Sequence, residues 1–324
     1  MKSAMSMSLG KVRRLQRCAT PTGRFVIVAA DHRQNLRSAL QPNGPERMDY
    51  AVFADFKRAL AKALSPAASA ILVDPEFGLG EGIRAGALAP RTGLIVSLEE
   101  TGYGGSGQDR LSRLLVGWTV EKAVRIGADA VKLLVYYHPK AANARVQKDL
   151  VMQVAENCQQ AEMPLFLETL SFPPEDGSKL SSDQKRDAVI ETARQLSSLG
   201  ADVLKAEFPI DPVEQTDENV WESACRELTA SSTVPWVLLS AGVSFEGFLR
   251  QTALACAAGA SGVMAGRTIW AESTRLRGAD RDKFLDTIAV DRLSSVEQIV
   301  EEAASPWIGA VEAQPVEERW FATY

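Results

Sequence analysis

Short apolar runs rich in valine, isoleucine and leucine alternate along this chain with longer stretches whose apolar positions recur every three or four residues. The first pattern suits a strand buried on both faces and the second a helix burying one face, so the chain reads as β and α units in turn. The apolar runs cover Arg24 to Ala30, Ala70 to Asp74, Gly93 to Leu98, Ala128 to Tyr137, Leu165 to Leu170, Ala201 to Ala206, Pro235 to Ser240 and Gly262 to Gly266. Among the helical stretches, Tyr50 to Leu64 puts Phe53, Phe56, Leu60 and Leu64 on the side that would meet a sheet. Alternation predicts a parallel sheet, and eight units predict closure into one (β/α)8 TIM barrel of the α/β class, although a doubly wound open sheet alternates in the same way.

Three of the runs follow one phrase: Ile126-Gly-Ala-Asp-Ala130, Leu199-Gly-Ala-Asp-Val203 and Ala258-Gly-Ala-Ser-Gly262. Each sets a glycine where a helix ending before a strand needs a left-handed residue. No Gly/Ser linker or charge block divides the chain, which reads as one domain with an N-terminal extension over residues 1–20 and a tail over 309–324. A loop rich in Pro, Gly and Ser, from Ser171 to Asp183, is placed to fold over a site at the end of the fifth run.

Composition narrows the function. A length of 324 residues suits one barrel, and a hydrophobic share of 46% supplies a normal core. The net charge of −5 argues against nucleic acid or an anionic membrane as partner. The basic N-terminus leads into no apolar segment, and no stretch approaches the roughly 18 apolar residues of a membrane span. Cys18, Cys158, Cys225 and Cys256 form no CxxC pair and read as free thiols of a reducing compartment, hence a cytoplasmic protein. Only two histidines occur, His32 and His138, so a histidine-rich metal centre or a Ser-His-Asp triad is poorly supplied.

In a β/α barrel the reacting groups project from the C-terminal ends of the strands. Polar residues end most of the runs: Asp31, His32 and Arg33 the first, Asp74 the second, Glu99 and Glu100 the third, Glu168 the fifth, Lys205 and Glu207 the sixth, Ser240 the seventh and Arg267 the eighth. Lys132 interrupts the fourth run and Lys205 the sixth. A lysine in an apolar strand is either an ion-pair partner, as Lys132 would be for Glu168, or an amine whose pKa burial and a second cation depress until it attacks a carbonyl. Two such lysines on nearby strands favour the second reading, with Glu168 as the base that aldol cleavage needs. Asp31 and Asp74 fit substrate binding or lysine pairing equally, and His32 fits a site or a solvated loop. The turns Ser240-Ala241-Gly242 and Gly266-Arg267 present backbone N–H groups and a guanidinium where barrels commonly hold phosphate.

The ordered motifs Ala30-Asp-His-Arg33, Asp74-Pro-Glu-Phe-Gly-Leu79, Thr101-Gly-Tyr103, Ala128-Asp-Ala-Val-Lys132, Phe166-Leu-Glu168, Asp202-Val-Leu-Lys205, Leu239-Ser-Ala-Gly-Val-Ser244, Gly266-Arg267 with Trp270, and Ser305-Pro-Trp307 resemble those of the class I tagatose 1,6-bisphosphate aldolases over about 25–307. The resemblance implies a Schiff base on Lys205, acid/base work by Glu168, a site shared with Asp31 and Lys132, and a phosphate held by Ser240 to Gly242 with Gly266 and Arg267. It implies no metal and no cofactor. The substrate would be a small phosphorylated ketose, tagatose 1,6-bisphosphate, split into dihydroxyacetone phosphate and glyceraldehyde 3-phosphate.

The family commonly has Gln at His32 and Tyr at Phe77, two departures that bear on the acceptor end. The stretch Phe56 to Pro66 through Ser69 to Asp74 is also similar to sulfofructose-phosphate aldolases, which would give sulfolactaldehyde instead. Two other readings stay open: a Mg²⁺-dependent lyase using Asp74, Glu168 and Glu207, and a sugar-phosphate sensor without turnover. A homo-oligomer is compatible with all of them.

Overall fold

A computed structural model describes residues 5–44, 47–101, 110–174, 179–322 and 324. Eight parallel strands close into a barrel: β2 (Phe25–Ala30), β3 (Ala70–Val73), β4 (Gly93–Ser97), β5 (Ala130–Tyr136), β6 (Leu165–Leu170), β7 (Val203–Ala206), β8 (Trp236–Leu239) and β9 (Gly262–Ala265). β9 pairs back onto β2 through Phe25 and Gly262, so closure is complete and an open sheet is excluded. Each observed strand lies within its predicted run, trimmed by at most two residues at either end.

The helix Tyr50–Leu64 forms as its periodicity predicts, with Phe53, Phe56, Leu60 and Leu64 buried against the barrel and Asp49 capping its first turn. Gly127, Gly200 and Gly259 all take left-handed φ values of 84°, 97° and 108°, the role assigned to the repeated phrase. The aspartates of that phrase do more. Asp129 accepts from Leu94 N–H on the neighbouring strand, and Asp202 accepts from Leu165 N–H, so each side chain stitches the start of one strand to the next.

The same two aspartates anchor the N-terminal segment. The helix Leu9–Cys18 lies across the mouth formed by the strand N-termini, where Lys11 pairs with Asp202 at 2.9 Å and Arg17 with Asp129 at 2.5 Å. Leu15 and Cys18 are fully buried among the inward residues Phe25, Phe166 and Val237, and Trp307 stacks on Phe25 from the C-terminal side. The N-terminal extension is therefore the floor of the barrel. Ahead of it, β1 (Met5–Met7) pairs with β10 (Val311–Ala313), which ties the predicted tail to the predicted extension. All four cysteines are buried free thiols.

With the floor filled, open space remains at the other mouth. Inward positions alternate along each strand, so Ile95, Ser97 and Glu99 share a face, as do Ala130, Lys132, Leu134 and Tyr136, then Phe166, Glu168 and Leu170, and then Val203 and Lys205. Apolar side chains at the floor give way to charged ones above.

Candidate active site

A cavity of about 690 Å³ opens at the C-terminal ends of the strands. Its wall carries Asp31, His32, Arg33, Glu99, Lys132, Glu168, Lys205, Ser240, Ala241, Gly242, Gly266 and Arg267, whereas Asp74, Glu100 and Glu207 are not on it. Glu168 and Lys205 sit directly opposite each other in the β6–β7 register, which places carboxylate and amine side by side.

The charged centre is one connected cluster. Glu168 Oε2 lies 2.8 Å from Lys205 Nζ and 2.7 Å from Lys132 Nζ. Lys132 Nζ also donates to Asp31 Oδ2 at 2.9 Å and to Glu99 Oε1 at 2.7 Å. The ion pair of Lys132 with Glu168, one of the two readings open from the sequence, is present, and its carboxylate oxygen stands between the two amines. Burial works to raise the pKa of Glu168, but Lys132 and Lys205 outweigh it and hold the group below its ordinary value. Asp31 follows the same balance and lies well below the usual carboxylate range. Beside the two amines both carboxylates therefore favour their charged form.

His32 is half-buried at the mouth with its ring edge against Trp270, at a centroid distance of 5.2 Å, and Trp270 is fixed by its indole N–H to Ala29 O. Burial lowers the pKa of His32 to about 3, against the pull of Asp31 and with help from Arg267, Lys57 and Lys205. It is a neutral imidazole on the cavity wall. A side chain on Gly266 would strike that ring, since a Cβ there would come within 2.6 Å of His32 Cε1.

The turn after β8 carries consecutive left-handed residues, Ala241 at φ 47° and Gly242 at φ 75°. Arg267 lies flat against it, with its guanidinium carbon 3.5 Å from where a Gly242 Cβ would stand. Ser240 Oγ accepts from Gly266 N–H and locks the two turns together. Among the described residues Arg267 makes no ion pair, and its Nε is buried without a partner. An anion at this corner would meet a guanidinium with spare donors.

Arg33 behaves differently. It is buried, donates to Glu76 and to Glu99 O, and its charge is held up by Glu99, Asp74 and Glu76 against the effect of burial. It lines the cavity but is committed to protein partners.

Of the two readings open for Asp74, the structure shows lysine pairing and not a place on the cavity wall. Asp74 is fully buried behind the wall, pairs with Lys57 at 2.8 Å and caps the turn that follows through Phe77 N–H. Lys57, from the helix Tyr50–Leu64, also donates to the carbonyls of Ala30 and His32 and so pins the ends of β2 and β3 together. The three carboxylates of the Mg²⁺ reading are kept apart, because Asp74 serves Lys57, Glu207 accepts from Ser171 N–H and Oγ, and only Glu168 faces the cavity. Phe77 packs on Tyr50 and Phe53 away from the cavity wall, so of the two departures from the family pattern only His32 reaches the site. Gly102 and Tyr103 of one motif, and residues 175–178 of the loop after β6, lie outside the described residues. Glu99 is the site residue that sequence reasoning placed at a strand end without giving it a role.

Two lysines share one carboxylate at the head of a closed barrel, an arrangement compatible with aldolase chemistry. The DeoC/LacD family aldolase model matches residues 25–272, and this chain belongs to that family: it is a class I aldolase, a carbon–carbon lyase. It is 31% identical to tagatose 1,6-diphosphate aldolase 2 of Streptococcus mutans, over 94% of this chain and 98% of that one. To tagatose 1,6-diphosphate aldolase 1 of Streptococcus pyogenes serotype M3 it is 32% identical, over 88% and 94%. Among solved structures, the fructose-bisphosphate aldolase of Plasmodium falciparum superposes with a TM-score of 0.70 at 12% identity, over 94% of this chain and 99% of that one. An archaeal fructose 1,6-bisphosphate aldolase gives 0.61 at 20% identity, over 88% and 99%. These two likenesses concern the fold. No helix among the described residues is long and apolar enough to cross a membrane.

Proposed function

We propose that the chain cleaves a ketose 1,6-bisphosphate, tagatose 1,6-bisphosphate foremost, through an imine on Lys205, in the cytoplasm. The observation that carries this reading is the 2.8 Å approach of Lys205 Nζ to Glu168 Oε2 inside a cavity whose far wall bears Arg267. The substrate's C1 phosphate binds Arg267 and the turn Ser240 to Gly242, which sets the C2 ketone over Lys205. Glu168 takes a proton from Lys205, the free amine adds to C2 to give a carbinolamine, and Glu168 returns its proton to the carbinolamine hydroxyl, which leaves as water to give an iminium and restore the carboxylate. Glu168 then removes the C4 hydroxyl proton as the C3–C4 bond breaks and its electrons pass into the iminium to give an enamine. The aldehyde departs, C3 is protonated, and water hydrolyses the imine to release dihydroxyacetone phosphate and the amine. Lys132 and Asp31 hold substrate oxygens beside the base. The names of the relatives support tagatose 1,6-bisphosphate as the sugar.

Borohydride trapping with dihydroxyacetone phosphate, followed by peptide mapping, tests the nucleophile: an adduct on Lys205 is expected, and one on Lys132 with Lys205 unmodified would reverse the assignment. Turnover of tagatose 1,6-bisphosphate, fructose 1,6-bisphosphate and 6-deoxy-6-sulfofructose 1-phosphate should be compared in parallel. A preference for the sulfonated sugar would move the chain to the sulfofructose-phosphate reading.

A further inference from the structure

The ladder between β4 and β5 ends in an irregular way. Leu98 N–H still bonds to Lys132 O at 2.9 Å, but Leu98 O is taken by Leu115 N–H, from a segment that folds back against the strand end. The next donor on β5, Leu134 N–H, would be left unpaired in the barrel wall, a costly state for a buried backbone group. The side chain of Glu99 takes it: Oε2 accepts from Leu134 N–H at 3.1 Å while Oε1 accepts from Lys132 Nζ at 2.7 Å. One carboxylate therefore grips β5 at two points two residues apart, one of them the site amine.

Glu99 is itself held. Its backbone lies between two hydrogen bonds of the fold-back, Leu115 N–H to Leu98 O and Glu100 N–H to Arg113 O, and its carbonyl accepts from Arg33 Nη2 at 2.8 Å. Glu99 is 1% exposed, Arg33 3% and Lys132 1%, so these charges interact with little screening by water. The groups facing Glu99 are Arg33 after β2, Lys132 on β5 and, through the same amine, Asp31 and Glu168.

From this geometry we infer that Glu99 is a positioning residue: with Arg33 behind it, it supplies Lys132 with a carboxylate of its own and so leaves Glu168 free to serve Lys205. Without that charge, Lys132 leans more heavily on Asp31 and Glu168, and the base is drawn away from the nucleophile. The inference rests on the Schiff-base reading of Lys205. Glu99 lines the cavity but acts through the amine it holds, so its loss falls on kcat more than on KM.

The test compares Glu99→Gln, which keeps an acceptor for Leu134 N–H but drops the charge, with Glu99→Asp, which keeps the charge on a shorter stem. In a Glu99→Gln variant that melts like the wild type, kcat is expected to fall about 100-fold, the scale of a misplaced catalytic group, with KM near the wild-type value. The acid limb of the kcat profile should move to lower pH, because removing a neighbouring negative charge makes Glu168 easier to ionise and a weaker base. Glu99→Asp should recover part of kcat and return the limb toward its wild-type position. A folded Glu99→Gln variant with wild-type kcat overturns the inference. So does a loss of kcat with an unmoved limb that Glu99→Asp shares in full, the mark of a merely structural role. Trapping of the wild type is run alongside: no adduct on Lys205 removes the Schiff-base reading and this inference with it, whereas an adduct with an indifferent Glu99→Gln removes this inference alone.

Discussion

Lys132 and Lys205 converge on a single oxygen, Oε2 of Glu168, but their other partners are unequal: Lys132 also binds Asp31 and Glu99. Replacing Lys132 by methionine leaves Glu168 with Lys205 and Glu99 with Arg33 but takes from buried Asp31 its amine, and a buried ion deprived of its partner costs about 3–5 kcal/mol. Replacing Lys205 leaves Glu168 paired with Lys132. Urea unfolding at pH 7 should therefore show Lys132→Met strongly destabilised and Lys205→Met close to wild type, while both lose activity. Equal destabilisation would mean that the cluster does not share its charges as the distances indicate.

Arg267 is the described cavity cation without an acidic partner, and the proposed reading assigns the substrate anion to it. A hydrogen bond to a charged group contributes about 1.5–3 kcal/mol, so Arg267→Ala should lower kcat/KM by roughly 10- to 100-fold, mostly through KM. Inorganic phosphate should inhibit the wild type competitively and the variant hardly at all. Unchanged inhibition by phosphate in Arg267→Ala would place the anion elsewhere.

Strand parity and strand-end polarity made most of the site legible in the sequence, since inward positions recur every second residue and Lys132, Glu168 and Lys205 fall on them. Parity also points to Glu99 over Glu100, because Ile95 and Ser97 share its face, a signal that needs the strand boundary fixed to within one residue. Asp74 shows where parity fails. It follows Ala70 and Leu72 in step, yet Lys57 reaches over from the adjoining helix and removes it from the cavity. A trace of this was present in the sequence: Lys57 stands four residues after Phe53 and three before Leu60, on the apolar face of its helix, where a lysine needs a buried partner. The identity of that partner is a matter of tertiary structure. The floor helix was hidden for a related reason, because Lys11 and Arg17 read as solvated charges until Asp202 and Asp129 are brought beneath them.

His32 gives a pH signature. Burial holds its pKa at about 3 in the fold, against an ordinary value of 6.5. As pH falls from 6.5 toward 3, the unfolded chain takes up a proton that the folded chain refuses, so His32 lowers stability across that window and is neutral in effect above it. In His32→Gln the penalty disappears, and the difference in urea midpoint between variant and wild type should widen in the variant's favour from pH 7 to pH 5. A difference independent of pH would mean that the imidazole is not held neutral.

The floor should be separable from the chemistry. Lys11 and Asp202 are both nearly buried at the mouth opposite the cavity, and Asp202 also fixes the start of β6 through Leu165 N–H. Lys11→Met leaves that carboxylate alone and should cost about 3–5 kcal/mol, whereas adding Asp202→Asn removes the charge, retains an acceptor for Leu165 N–H and should restore most of the loss. Leu15→Ala, which empties part of the fully buried plug, should cost about 2–5 kcal/mol on packing alone. Well below their melting temperatures all three variants should keep wild-type kcat and KM, because none of them touches the strand ends that carry Lys132, Glu168 and Lys205. A folded Lys11→Met protein with a depressed kcat would show that the floor helix sets the geometry of the site as well as closing the barrel beneath it.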